Sequence, residues 1–165
     1  MDHAVVLAAD VGGTKIYLGM YAAEAGGPRS LCEARYDTAG YAGLGDLLAA
    51  FIAESGYEPV RVVLGVPGPV RITPVKPVNI PWQIDPHELG RHLGIEVDLL
   101  NDLQATSYGV LELEGADLLV LNEGMADPEG NIAVIAAGTG LGEGGLCWSG
   151  ERYVAIASEI GRAHV

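Results

Sequence analysis

The chain has 165 residues, 49% hydrophobic and 19% charged, with nine basic side chains against 22 acidic ones and a formal net charge of −13. Mean hydropathy is +0.26 and the pI about 4.5, so a packed core is affordable and a disordered chain is excluded. Such an acidic surface repels nucleic-acid backbones and anionic lipid, and no nucleic-acid or membrane partner is expected. A small anionic ligand stays compatible, because backbone N–H groups bind it locally whatever the net charge.

Strand and helix signals alternate, which predicts an α/β fold. Ala4–Ala9 is a short apolar run with no basic segment before it, so neither a signal peptide nor a spanning helix is expected there. Lys15–Ala22 predicts a second strand after a glycine turn, hence an N-terminal hairpin, and Leu31–Asp37 a third strand after the turn Ala25–Pro28. Leu44, Leu47, Leu48, Phe51 and Ile52 recur at helical spacing, closed by Gly56. Val60–Val66 is β-branched and apolar, a buried strand ended by Pro67-Gly68-Pro69. Asp85-Pro86-His87-Glu88 has the grammar of a helix start, with an Asp cap and Pro in the first turn, and that helix stops at Gly94. Val97–Leu100 then predicts a strand and Leu103–Leu113 a helix. Leu118–Leu121 and Ile132–Ala136 predict buried strands, and Gly144–Trp148 with Arg152–Ala157 a hairpin around Ser149-Gly150. Cys32 and Cys147 lie far apart with no C-x-x-C spacing, a usage that fits a reducing compartment and a cytoplasmic location.

Three constellations carry chemistry. The first is Asp10-Val11-Gly12-Gly13-Thr14, between two strands. Paired glycines admit close approach and positive φ, successive N–H groups suit phosphate oxygens, and the Asp suits Mg²⁺ held through water. An ordinary hairpin turn with a capping Asp explains the same residues. The second is Gly138-Thr139-Gly140-Leu141-Gly142, again after a strand. The run Gly140–Gly145 also matches G-x-G-x-x-G, but strand rather than helix follows it, which excludes a Rossmann site. The third is Asn101-Asp102 where strand gives way to helix. A carboxylate there meets the partial positive charge of a helix N-terminus and can accept a hydroxyl proton, although helix capping is the commoner use of either residue. His87 and His92 miss the i, i+4 spacing of a metal pair.

Taken together, strand–Asp-x-Gly-Gly-Thr–strand, a strand ending in Asn-Asp, and strand–Gly-Thr-Gly resemble the bacterial glucokinase family, over residues 4 to about 158. The resemblance implies a ribonuclease H-like or actin-like ATPase fold, a mixed sheet with an N-terminal β-hairpin and flanking helices. It also implies ATP and Mg²⁺ as cofactors and glucose as substrate. By this similarity Asp102 is the general base and Asn101 binds sugar hydroxyls, with Asn79, in the segment Asn79-Ile80-Pro81-Trp82, and Glu159 also on the sugar side. Ala9, Asp10, Val11, Gly12, Gly13 and Thr14 form the first phosphate loop, Gly138, Thr139 and Gly140 the second, and Asp10 lies near the metal. The expected division is a small lobe over 1–112, the start of a larger lobe over 113–158, and a tail over 159–165, with a homodimer among the expectations for the longer parent. Where the family continues Ser-Glu with Gly-Gly-His, this chain reads Ser158-Glu159-Ile160-Gly161-Arg162-Ala163-His164, so no sugar role passes to His164. Residues 159–165 are what GAG ATC GGA AGA GCA CAC GTC encodes, a string containing a common sequencing adapter, and native sequence is expected to end near Ser158. A kinase for another hexose or N-acetylhexosamine, a non-catalytic actin-like nucleotide module and an exopolyphosphatase-like hydrolase are the alternatives.

Overall fold

A computed structural model describes residues 3–77, 79–125, 127–137 and 141–156. The chain divides into two compact units, Met1–Leu100 and Asn101–Val165.

The first unit is built on a mixed sheet. β1 (Val5–Val11) and β2 (Lys15–Glu24) form the expected antiparallel hairpin, β3 (Gly27–Asp37) pairs with β2, and β4 (Arg61–Val66) runs parallel to β1. With β5 (Glu96–Asn101) at the far edge the order is β3-β2-β1-β4-β5. Alternation decides which face is buried: Ile16, Leu18, Met20 and Ala22 of β2 turn inward while Tyr17 between them is half exposed. They meet Leu7 and Val11 of β1 and Val62, Leu64 and Val66 of β4, all fully buried. α1 (Leu44–Ser55) closes this core with Leu44, Leu47, Leu48 and Phe51, one stripe at helical spacing, and Gly56 ends it in the left-handed conformation at φ 71°. α2 (Pro86–Leu93) starts as its sequence predicts: Asp85 Oδ1 accepts from the N–H of His87 at 2.9 Å and of Glu88 at 3.3 Å. Gly94 stops it at φ 69°. β3 begins four residues before the expected Leu31. Pro28 reads as a turn in sequence, yet β3 is an edge strand, where a missing N–H costs no ladder bond.

In the second unit α3 (Asp102–Val110) accompanies an antiparallel sheet of β6 (Ile132–Ala137), β7 (Leu141–Trp148) and β8 (Tyr153–Ile156), in the order β6-β7-β8. The expected hairpin around Ser149-Gly150 is present, with Ser149 N–H donating to Arg152 O at 2.9 Å. α3 packs directly on β7 because two glycines let it: a Cβ on Gly142 would lie 2.6 Å from Leu103 Cδ2, and one on Gly144 2.6 Å from Ser107 Oγ. Gly142, one of the glycines that mimic a dinucleotide fingerprint, therefore serves helix–sheet packing here.

Three expectations need correction. Leu118–Leu121 forms no strand, and its side chains are exposed, Leu119 by 84% and Leu121 by 90%. A strand needs a neighbour for its ladder and a second layer for its side chains, and among the described residues nothing supplies either; an apolar run cannot reveal that. β6 forms as expected but is not buried throughout: Val134 is inside, while Ile135 is 70% exposed. The helix expected to reach Leu113 ends at Val110.

Candidate active site

The turn after β1 is short because the hairpin ladder runs to its limit. Asp10 pairs with Tyr17 and Val11 with Ile16, leaving Gly12, Gly13 and Thr14 outside the strands. Asp10 also lies opposite Gly65 of β4, and it is an exposed residue one place before the end of β1. Its neighbours Ala9 and Val11 point into the core, so what they can offer a ligand is backbone.

Neither Gly12 nor Gly13 adopts the left-handed conformation that the sequence reading allowed. Both are required by close approach. A Cβ on Gly12 would stand 2.7 Å from Lys15 O, the carbonyl that accepts the Gly12 N–H at 3.0 Å. A Cβ on Gly13 would stand 2.6 Å from Asn79 O and 2.8 Å from Asn79 Cβ. The Asp-x-Gly-Gly-Thr turn and Asn79, 66 residues on in sequence, are thus in direct van der Waals contact. The first unit brings a phosphate-loop candidate and a sugar-side candidate together. Trp82, three residues beyond Asn79, packs against the core rather than offering a stacking surface.

Sequence reasoning missed a third participant. Thr38, just after β3 and 2% exposed, donates its Oγ1–H to Gly12 O at 2.9 Å and its backbone N–H to Thr14 O at 3.0 Å. A lone Thr after a strand carries no signal of its own. Only the β2–β3 register, with Lys15 opposite Asp37, brings it beside the turn.

In the second unit Asn101 and Asp102 stand at the head of α3. The capping question left open by the sequence is answered: Asn101, 1% exposed, is the cap, its Oδ1 accepting from Leu103 N and Gln104 N, both at 3.1 Å. Asp102 is the first helical residue and partly buried, and its Oδ1 accepts from Leu103 N at 2.9 Å. Leu103 rests on Gly142, so the head of α3 sits by the start of β7. Gly138, Thr139, Gly140 and Glu159 lie outside the described residues.

Among the described residues no three His, Cys, Asp or Glu side chains gather as a metal cage, and no helix is long and apolar enough to cross a membrane.

The glucokinase family model matches residues 7–165. A glucokinase from Nostoc sp. is 33% identical over 163 residues, which is 96% of this chain and 48% of that protein. Among solved structures, a glucokinase from an Antarctic psychrotroph matches with a TM-score of 0.84 at 26% identity, over 96% of this chain and 50% of that one. A ROK family glucokinase from Streptomyces griseus, in complex with glucose and AMPPNP, matches at 0.66 and 25% identity, over 93% and 49%. The chain spans about half the length of the curated relatives it matches. Its α/β architecture, with the N-terminal hairpin in a mixed sheet, is that of the actin-like ATPases. With the motif-bearing turn, the Asn-Asp helix head and a match over all but the first few residues in agreement, the chain belongs to the glucokinase family.

Proposed function

We propose that a polypeptide of the relatives' length carrying this chain phosphorylates glucose from ATP, and that this chain supplies the general base and the first phosphate turn. Asp102 accepts the proton of the glucose 6-hydroxyl as O6 forms its bond to the γ-phosphorus. The bond from that phosphorus to the β,γ-bridging oxygen breaks, and ADP leaves with its electron pair. Asn101 holds α3 in register and, with Asn79 and Glu159, orients the sugar. Gly13 and Thr14, with Gly138, Thr139 and Gly140, surround the phosphates, and Gly12 supplies room rather than a donor, its N–H being given to Lys15 O.

The exposed Asp10 residue suits Mg²⁺, which keeps most of its water and takes one or two carboxylates rather than a cage of protein ligands, and no such cage occurs among the described residues. When bound, that ion offsets charge on the phosphates. Orientation of the two substrates contributes the larger share of the acceleration, about 7–11 kcal/mol, against roughly 10²–10⁴-fold from a general base. A small lobe over 1–112 and the start of a larger one over 113–158 provide that orientation in the longer polypeptide, and the 165 residues alone are inactive. The reading places the enzyme in the cytoplasm, at the entry of glucose into glycolysis, acting on a small molecule and not on nucleic acid or membrane, with a homodimeric parent.

The observation that carries this proposal is the division of labour at the head of α3. Asn101 is the cap of α3, and Asp102, its first helical residue, keeps a partly buried carboxylate at the positive end of that helix, with Oδ1 accepting from Leu103 N at 2.9 Å. The test is ADP production by the full-length enzyme against a panel of glucose, fructose and N-acetylhexosamines. Stimulation by glucose supports the reading. Sugar-independent phosphate release marks a hydrolase, and no turnover with any sugar removes the kinase.

A further inference from the structure

We propose that Thr38 is the positioning residue of the Asp10–Thr14 turn, holding two of its carbonyls away from the ligand so that the intervening N–H groups face phosphate. This rests on the reading of that turn as a phosphate loop. Among the described residues the buried polar side chains are Thr38, Asn101 and Ser107. Asn101 caps α3, and Ser107 returns its hydroxyl to Leu103 O within the same helix. Thr38 alone of these spends its bonds on a distant turn, 26 residues away at Gly12.

The geometry has a direct consequence. A trans peptide unit is planar with C=O and N–H on opposite sides. With Gly12 O held by Thr38 Oγ1, the Gly13 N–H points away from Thr38, and with Thr14 O held by the Thr38 N–H, the Lys15 N–H does likewise. Gly12 N–H is meanwhile tied to Lys15 O, which keeps the turn from opening. On another side Gly13 abuts Asn79 O and Cβ, so the turn has no room to shift that way. The anchor is firm: Thr38 is 2% exposed and follows β3, whose last residue, Asp37, meets Lys15 Nζ at 3.1 Å. A phosphate cradle made of backbone needs such an outside clamp, because its own donors have no side chains to orient them.

The test uses the full-length enzyme with Thr38→Val, which keeps shape but removes the hydroxyl donor, and Thr38→Ser, which keeps the donor. Direct calorimetric titration with ATP in the absence of sugar is the primary readout, beside the glucose dissociation constant and KM and kcat for both substrates. Thr38→Val is expected to weaken ATP binding about tenfold, equivalent to roughly 1.4 kcal/mol. Glucose affinity should stay within about twofold, and Thr38→Ser should recover most of the ATP affinity. A merely structural threonine would lower thermal stability and leave the ATP constant alone. Wild-type ATP affinity in folded Thr38→Val overturns the proposal. So does a Thr38→Ser protein as weak as Thr38→Val, or a wild-type protein that binds no ATP. If Thr38→Val does not fold, Thr38→Ala carries the same comparison. A wild-type enzyme that binds ATP but turns over no sugar removes the kinase reading, while the ATP constants still decide the role of Thr38.

Discussion

Leu64 in β4 and Leu119 in the segment after α3 are the same side chain in opposite circumstances, one fully buried and the other 84% exposed. The contrast extends to the units they belong to. In Met1–Leu100 the strands put alternate side chains into one continuous apolar cluster that α1 and α2 help close. In Asn101–Val165 the buried apolar residues among those described are Val134, Leu146 and Ala155, while Leu118, Val120, Leu121 and Met125 stand out in solvent. Hydrophobicity sets what a residue gains from burial, but only a neighbouring layer realises it. Among the described residues, the second unit has the side chains of a core without a layer that covers them.

The widest separation between the two units comes from truncating those two leucines. Leu64→Ala should destabilise Met1–Leu100 by about 2–5 kcal/mol through lost burial and a cavity. Leu119→Ala should stay within about 0.5 kcal/mol of the parent, as a surface change does. Urea unfolding monitored by hydrogen exchange in each unit measures both, and equal losses would erase the comparison.

A smaller effect tests how the second unit coheres without a large core. Gly144→Ala drives a methyl group against Ser107 Oγ, with Leu103 O 3.3 Å away. Overpacking of this kind costs about 1–3 kcal/mol. Faster exchange of β6–β8 amides, with the β1–β4 amides unaffected, is the expected result.

Smallest is an effect on the open face of the first unit. Burial, then the hydrogen bond to Glu33 and the charge of that carboxylate, raises the pKa of Tyr21 above that of a free tyrosine. The neutral phenol is therefore favoured in the folded state. Its contribution is present below the unfolded tyrosine value and is lost as pH rises through the raised folded one. Melting temperatures followed from about pH 9 to 11 should fall less steeply for Tyr21→Phe than for the parent; parallel curves would show that Tyr21 does not couple to folding.

What the sequence disclosed follows the range of the interactions involved. Asp85, Gly56 and Gly94 act within a turn of their helices, and their roles are legible from neighbours alone. The alternation in Lys15–Ala22 and the stripe from Leu44 to Phe51 also state which face is buried. Pro28 misleads because edge position is a property of the sheet, and Leu118–Leu121 because burial is a property of the surroundings. At the candidate site the motif residues are visible in the sequence, but the causes are not. Gly13 is glycine because of Asn79, and the turn is braced by Thr38, both contacts made by the tertiary fold. The Asn101-Asp102 pair lies between these cases: its helix-head position is legible, whereas the choice of Asn101 as cap is set by backbone geometry at the strand–helix junction.

The central claim is that Asp102 takes the proton from the sugar hydroxyl. Steady-state kinetics of Asp102→Asn in the full-length enzyme tests it most directly, with glucose binding measured separately. The account predicts a loss in kcat of at least about 10²-fold with glucose affinity largely kept. Turnover at the parent rate would contradict it.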